Sequence, residues 1–142
     1  MTRGSNQIDA QRWPASCASE PFLYLTTIGR RTGRRHRIEI WFAERDGRLY
    51  LLSGGRDRAD WVRNIKSNQR VTVELGSESH DGVAHMVEAD TAEDQRARDL
   101  LVAKYADTEG DLEEWGRTSL PVVIEFPASG LPPQCRRDFA CE

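Results

Sequence analysis

Residues 22–53 read FLYLTTIGRRTGRRHRIEIWFAERDGRLYLLS, and this stretch decides the fold. Its opening, residues 22–28, is rich in aromatic and β-branched side chains, which predicts a buried strand. Residues 35–44 have a period-two pattern of side chains, so they predict a second strand. Asp46-Gly47 predicts a hairpin turn, because glycine accepts the positive φ that a tight turn needs. Residues 48–53 then form the return strand.

The second strand separates two faces, with Ile38, Ile40 and Phe42 on one and Glu39, Trp41 and Ala43 on the other. The remaining pattern predicts a helix over residues 59–67 and a second helix from the Thr91-x-x-Asp94 capping box to about Ala106. It also predicts strands over residues 71–75, 83–89 and 120–126. A polar loop is expected over residues 76–82 and a helical turn over residues 111–117. Neighbouring strands joined by tight turns pair antiparallel. The fold class is therefore α+β, mainly β: a six-stranded, mostly antiparallel small barrel with two to three helices at its rim.

The chain of 142 residues has room for one domain. We expect a flexible N-terminal arm over residues 1–20, the barrel over 21–127 and a loose Pro-rich tail over 128–142. With 38% apolar and 30% charged residues, a wholly disordered chain is excluded. No strictly apolar run is longer than the four residues of Phe22–Leu25, which excludes a transmembrane segment. Since no secretory signal is visible, we expect a cytoplasmic protein with its three cysteines reduced.

Charge is distributed unevenly along the chain. Residues 1–70 hold 14 Lys/Arg against 7 Asp/Glu, a balance of +7, whereas residues 71–142 hold 6 against 16, a balance of −10. Within the basic half, five arginines lie within eight residues: Arg30, Arg31, Arg34, Arg35 and Arg37. Guanidinium groups this close repel one another unless an anion or solvent screens them.

These arginines flank a glycine-bracketed turn, which is the first candidate site. Glycines let backbone N–H groups face a ligand, and guanidinium groups match the oxygens of phosphates and carboxylates. The candidate anion-binding residues are Arg30, Arg31, Thr32, Gly33, Arg34, Arg35 and His36. A solvated basic hairpin explains the pattern equally well. A Walker loop is excluded, and a dinucleotide fingerprint is excluded because no helix follows the turn.

The second candidate is the break Ser53-Gly54-Gly55, which leads into the helix carrying Trp61 and Asn64. Free N–H groups where a strand ends and a helix begins attract anions or ring carbonyls, and the Ser53 hydroxyl can donate a hydrogen bond. Taken alone, the pattern favours a tight connection with Trp61 as core packing. No spacing of His, Cys or carboxylates suits a metal, so no metal site is predicted. Because GxSxG is absent, no catalytic nucleophile is assigned either.

The ordered set of motifs resembles the deazaflavin-dependent nitroreductase/quinone reductase family, the split-barrel proteins that use coenzyme F420. The matching positions are the turn Gly29-Arg30-Arg31-Thr32-Gly33, the pair Gly54-Gly55, Trp61 and Asn64, Asn68 with residues 71–75, and Arg117-Thr118 before residues 120–123. The resemblance covers roughly residues 22–126. It implies a six-stranded split β-barrel and a reductase that takes hydride from the reduced deazaflavin.

The same resemblance implies roles for the two candidate sites. The arginines would hold the phosphate and acidic tail of the cofactor, and the backbone of Ser53-Gly54-Gly55 would bind the ring edge. The acceptor would lie over the ring, against Trp41 or Trp115. Three departures are visible: Arg35-His36 replaces the family's Pro-x-Arg, Glu39-Ile40 replaces its Pro-Leu, and residues 106–125 lack its tyrosines. The acceptor, a small molecule such as a quinone or nitro compound, is left open.

Three alternatives remain at this point. The same fold can bind FMN, although five arginines suit a longer anionic tail. A non-catalytic deazaflavin carrier is consistent with the missing tyrosines. Nucleic-acid binding is disfavoured, because no aromatic side chains stand among the arginines and the net charge is −3. A homodimer is an expectation from the resemblance alone.

Overall fold

The structure is a computed structural model that describes residue 17 and residues 19–126. Within these residues there are seven strands and three helices. The strands are β1 (Leu23–Ile28), β2 (Arg35–Ile40), β3 (Ala43–Arg45), β4 (Arg48–Ser53), β5 (Arg70–Leu75), β6 (Glu78–Met86) and β7 (Leu120–Glu125). The helices are α1 (Asp60–Ser67), α2 (Ala92–Glu109) and α3 (Glu113–Thr118), and a 3-10 turn over Arg56–Arg58 precedes α1.

The strands form one sheet in the order β2-β1-β5-β6-β7-β4-β3, and every neighbouring pair is antiparallel. The mainly-β, antiparallel fold class is thus confirmed. The number of strands is seven rather than the predicted six. The Asp46-Gly47 turn is also confirmed, since both residues have positive φ, 54° and 84°.

The extra strand arises because the predicted strand over residues 35–44 is two strands. β2 ends at Ile40 and pairs with β1 at one edge of the sheet, whereas β3 begins at Ala43 and pairs with β4 at the other. We call Trp41 and Phe42, which lie between them, the corner. Side-chain alternation continues through the corner, and alternation reports which face a residue occupies, not which strand it pairs with.

The predicted polar loop over residues 76–82 is wrong, because most of it belongs to β6. Gly76, with φ of 61°, turns the chain tightly between β5 and β6. The first residues of β6 are polar and exposed and therefore lack an apolar period, yet their backbone pairs with β5. β6 also ends at Met86, three residues before the predicted end.

Two apolar layers pack against opposite faces of the sheet. The inner core includes Leu23, Leu25, Phe42, Leu51, Val73 and Ile124. The outer core joins Tyr50, Leu52 and Val123 of the sheet to Ala97, Leu101 and Tyr105 of α2. The apolar stripe of this helix, which these three residues form, is therefore the surface that covers one half of the sheet.

The start of α2 follows its predicted cap. The Thr91 side chain accepts a hydrogen bond from the Asp94 backbone N–H at 3.1 Å, and the Asp94 carboxylate accepts one from the Asp90 N–H. The helix continues to Glu109, beyond the predicted end, and stops at Gly110 with φ of 83°. A positive φ is easily adopted by glycine, which explains the stop.

Most of the predicted arm and tail lies outside the described residues. Cys17, at the end of the arm, is a buried free thiol whose Sγ lies 3.7 Å from the Leu75 carbonyl oxygen. Cys135 and Cys141 lie outside the described residues. Among the described helices, none is long and apolar enough to cross a membrane.

The close packing of β6 on β7 gives a first prediction. A Cβ at Gly82 would stand 2.9 Å from the Ile124 Cγ2 and 3.0 Å from the Glu125 carbonyl oxygen. We expect Gly82→Ala to lower the free energy of unfolding by about 1–3 kcal/mol, measured by urea denaturation. Ser79→Ala, at an exposed position of the same strand, is the control. An equal midpoint for both variants would show that this contact is not tight.

Candidate functional site

Residues 29–35, the turn between β1 and β2 together with the first residue of β2, are closed by their own backbone bonds. The Gly29 N–H donates to the Arg34 carbonyl at 2.7 Å, and the Gly33 N–H donates to the Gly29 carbonyl at 2.9 Å. Gly33 has φ of 75°, a conformation that glycine adopts without strain. We call this segment the arginine turn. Its backbone is fixed before any side chain is considered.

Asn64 of α1 anchors the arginine turn to the barrel. Its Oδ1 accepts from the Arg30 backbone N–H at 3.2 Å and from the Arg30 guanidinium at 2.9 Å, and its Nδ2 donates to Thr27 Oγ1 at 3.1 Å. Asn64 is 4% exposed, so these bonds are shielded from water. The amide is therefore occupied within the protein, and its role in the site is to position the turn.

Arg30 is likewise committed to the protein. Its guanidinium contacts both the carbonyl and the carboxylate of Asp60, the first residue of α1, the latter at 3.1 Å. Its side chain is only 22% exposed, compared with 84% for Asp60. Arg30 thus holds the arginine turn against the start of α1, a function that the sequence pattern did not separate from anion binding.

Three other guanidinium groups remain available. The side chains of Arg31, Arg34 and Arg35 are exposed, and none of them makes a hydrogen bond or ion pair with another described residue. Thr32 shapes the same turn, since its Oγ1 accepts from the Arg34 N–H at 3.2 Å. A rigid turn that presents three unpaired cations is suited to binding an elongated anion.

Two neighbours of these arginines have structural partners. Arg37 forms an ion pair with Glu74 at 2.7 Å and lies 3.9 Å from the centre of the Tyr24 ring. The His36 ring lies so close to Gly29 that a Cβ there would be 2.6 Å from its Nε2. His36 therefore packs on the arginine turn, and its predicted contact with a ligand stays a prediction.

The break Ser53-Gly54-Gly55 runs from the last residue of β4 to the 3-10 turn. The buried Ser53 hydroxyl donates to the Arg56 carbonyl at 2.9 Å, so its proton is used within the break. Gly54 and Gly55 are exposed. A Cβ at Gly55 would lie 3.6 Å from the Ala59 Cβ, directly before α1, and one at Gly54 would lie 3.7 Å from the Trp115 Nε1.

Three aromatic side chains meet beside Gly54. The Trp41 ring stacks on the Tyr105 ring with centroids 4.4 Å apart and 10° between the planes, and the Trp115 ring meets Trp41 edge-on at 5.4 Å. We call Trp41, Tyr105 and Trp115 the aromatic cluster. The two tryptophans predicted for an acceptor pocket are thus in contact.

The sequence pattern does not single out Tyr105 as a neighbour of the predicted tryptophans, because Tyr105 belongs to the apolar stripe of α2. Its hydroxyl donates to the Pro21 carbonyl at 2.8 Å and accepts from the Phe42 N–H at 3.1 Å. Burial raises the pKa of this phenol above its ordinary value. One sequence feature could have indicated the position of Tyr105. It carries a polar hydroxyl at the end of the apolar stripe, and it lies one residue before the segment that lacks the family's tyrosines.

The predicted site residues form one continuous series of contacts. The arginine turn touches the start of α1 through Arg30, the break touches the residue before α1 through Gly55, and Gly54 adjoins the aromatic cluster. Trp61 departs from this arrangement, since it packs against the inner core. Its predicted cofactor contact stays a prediction.

Comparison with known proteins identifies the family. The model of the F420H(2)-dependent quinone reductase family matches residues 3–127. The chain belongs to this family. It is an oxidoreductase of the F420-dependent reductase class, and coenzyme F420 is the cofactor that the family implies.

Solved structures agree on the fold. An F420-H2 dependent reductase, FDR-A, is 23% identical with a TM-score of 0.61, covering 75% of this chain and 95% of its own. A structure described as a domain-swapped dimer is 22% identical with a TM-score of 0.62, covering 75% and 81%. The heme storage protein HutZ from Vibrio cholerae is 18% identical with a TM-score of 0.60, covering 79% and 86%. The split-barrel architecture is thus confirmed.

The Asn64 contacts give a second prediction. Asn64→Ala would leave the Arg30 N–H and the Thr27 hydroxyl without their partner in a buried place, so we expect unfolding free energy to fall by about 2–3 kcal/mol. Asn68→Ala is the matched control, because Asn68 accepts one exposed bond from the Arg70 N–H. Thermal and urea unfolding measure both, and equal losses would contradict the anchoring role.

Proposed function

We propose that this protein transfers hydride from reduced coenzyme F420 to a small organic acceptor such as a quinone or a nitro compound. The observation that carries the proposal is that the arginine turn and the exposed glycines both adjoin the start of α1, with the aromatic cluster beside Gly54. The turn carries three arginines that are unpaired among the described residues. Reduced coenzyme F420 supplies the hydride when bound, and the protein supplies binding and orientation.

The arginine turn would hold the phosphate and the acidic tail of the cofactor. Arg31 and Arg34 are the main candidates, because they flank the turn and their guanidinium groups are unpaired among the described residues. Arg30 and Asn64 act behind them by keeping the turn in place. This division fits a polyanion, since charge-assisted hydrogen bonds are strongest when the donors need no reorganisation.

The break would receive the planar ring system. Without a side chain, Gly54 leaves its backbone exposed beside the indole of Trp115, and a flat heterocycle can approach there closely. The donor set therefore fits the cofactor at both ends: cations for its tail and exposed backbone for its ring.

The aromatic cluster would form the wall on which the acceptor lies. Trp41 and Trp115 are half-buried, so neither residue is fully enclosed by the protein. Flat aromatic acceptors pack favourably on such rings. Tyr105, directly before the segment that lacks the family's tyrosines, supports this wall by stacking on Trp41.

We also propose a homodimer located in the cytoplasm. The helices α2 and α3 cover the half of the outer face formed by β3, β4 and β7, and Tyr24, Thr26 and Thr72 on the other half remain partly exposed. One structural neighbour is described as a domain-swapped dimer. A cytoplasmic location is consistent with Cys17 as a free thiol.

The dimer predicts a definite mass. Light scattering on the purified full chain at micromolar concentration should give twice the 16.1 kDa of one chain. A mass of one chain across the concentration range would contradict this part of the proposal.

Charge reversal of the arginine turn tests the cofactor assignment. We expect Arg31→Glu with Arg34→Glu to weaken binding of coenzyme F420 at least about 100-fold, because two charge-assisted bonds become repulsions. Fluorescence quenching at low salt measures the affinity. Arg45→Glu with Arg96→Glu makes the same change of net charge at exposed positions elsewhere and serves as the control.

Two ligands sharpen this experiment. The deazaflavin chromophore without phosphate and tail should bind wild type and the double variant equally, because the arginines would not touch it. Unchanged binding of coenzyme F420 by the double variant would refute the proposed tail contact. Tight binding of FMN in place of coenzyme F420 would favour the FMN alternative, and binding of coenzyme F420 without turnover would favour a carrier.

A further inference from the structure

The corner between β2 and β3 is held by two consecutive residues of α2. The Lys104 ammonium donates to the Phe42 carbonyl at 3.0 Å, and the Tyr105 hydroxyl contacts both the N–H and the carbonyl of Phe42 at 3.1 Å. Both polar groups of the Phe42 peptide are therefore bound to side chains of α2. We call these contacts the corner clamp.

Lys104 makes a second contact with the same residue. Its Nζ lies 3.5 Å from the centre of the Phe42 ring, the distance of a close cation–π interaction. The Phe42 ring is fully buried in the inner core, so it provides a fixed base for the ammonium. The corner clamp thus depends partly on the positive charge of Lys104.

Few other charges surround this ammonium. Within the described residues, the titratable groups that face it are the Glu20 carboxylate, from the segment before β1, and the Tyr105 phenol, from α2 itself. Burial lowers the pKa of Lys104 to about 8, and Glu20 opposes this shift. Because burial raises the pKa of Tyr105, the phenol stays protonated where the lysine loses its charge.

The clamp is linked directly to the aromatic cluster. Trp41 precedes Phe42 in the chain, and its indole stacks on the ring of Tyr105, a residue of the clamp. The corner residues do not pair with a neighbouring strand, because β2 ends before them and β3 begins after them. The hydrogen bonds from α2 therefore hold the corner backbone in place of hydrogen bonds between strands. A change at Lys104 can therefore alter the orientation of Trp41.

We propose that Lys104 is a positioning residue that fixes Trp41 as the wall of the acceptor site through the corner clamp. This inference rests on the proposed function, since Trp41 forms that wall. The ammonium form keeps the indole stacked and oriented. As pH rises through 8, the charge is lost, the attraction to the Phe42 ring disappears, and the wall loosens. Acceptor affinity then depends on pH although Lys104 does not touch the acceptor.

The first part of the experiment needs neither cofactor nor acceptor. Near-ultraviolet circular dichroism of the wild-type protein between pH 6.5 and 9 should show a change in the tryptophan and tyrosine bands with a midpoint near pH 8. Lys104→Met keeps the length of the side chain and should abolish this change. Lys66→Met is the matched control, because Lys66 is the only other lysine and is exposed on α1.

The second part measures steady-state kinetics with reduced coenzyme F420 and menadione as the acceptor. We expect Lys104→Met to raise the KM for menadione about threefold or more at pH 7, in the range of a lost cation–π contact, with the affinity for coenzyme F420 unchanged. Lys104→Arg should restore the KM and remove its rise above pH 8, because arginine remains charged. Trp41→Leu, which removes the wall itself, should raise the KM in the same direction.

The two parts separate this inference from the proposed function. If no variant or wild-type protein reduces menadione, the proposed function fails for quinones, and the circular dichroism still decides whether the clamp orients the cluster. The inference is overturned if wild type and Lys104→Met share the same pH-dependent bands, or if the bands change while the KM for menadione stays the same. A Lys104→Met defect confined to the cofactor affinity would also overturn it.

Discussion

The hydrogen bonds of Asn64 are the constraint on which the site depends. One buried amide joins β1, the arginine turn and α1 through Thr27 and Arg30. Because the amide bonds to both Arg30 and Thr27, the turn is fixed to the barrel, and Arg31, Arg34 and Arg35 stay exposed with no partner among the described residues. In the proposed function, these cations would meet the polyanion from a rigid base, which would limit the entropy lost on binding.

Many of the strands can be predicted from the sequence, because a period-two pattern of apolar residues indicates which side chains are buried. The inner and outer residues of the 35–44 segment were assigned to the correct faces, and the Asp46-Gly47 turn was found from its need for positive φ. The pairing partners of the strands cannot be predicted in this way, since the alternation of side chains continues unbroken through the corner between β2 and β3. The polar start of β6 was missed because its stability comes from backbone bonds, which carry no side-chain signal.

The candidate site was predictable as a set of residue types but not as a division of roles. Five arginines read alike in sequence, whereas the structure commits Arg30 to Asp60 and Arg37 to Glu74. Which guanidinium stays unpaired depends on strand register and on the position of α1. The contacts of Lys104 and Tyr105 with Phe42 cannot be predicted for a related reason, because Phe42 lies more than sixty positions away in the chain.

The two residues of the corner, Trp41 and Phe42, pack on opposite faces of the sheet. Phe42 is fully buried in the inner core, while its neighbour Trp41 faces the aromatic cluster on the other side of the sheet. A change of side chain at position 41 would therefore act on the outer layer, where Trp41 stacks on Tyr105, and would leave the inner-core contacts of Phe42 in place. Two consecutive positions thus contribute to separate layers, so the geometry of the outer layer can be probed by mutation while the inner layer serves as an internal reference.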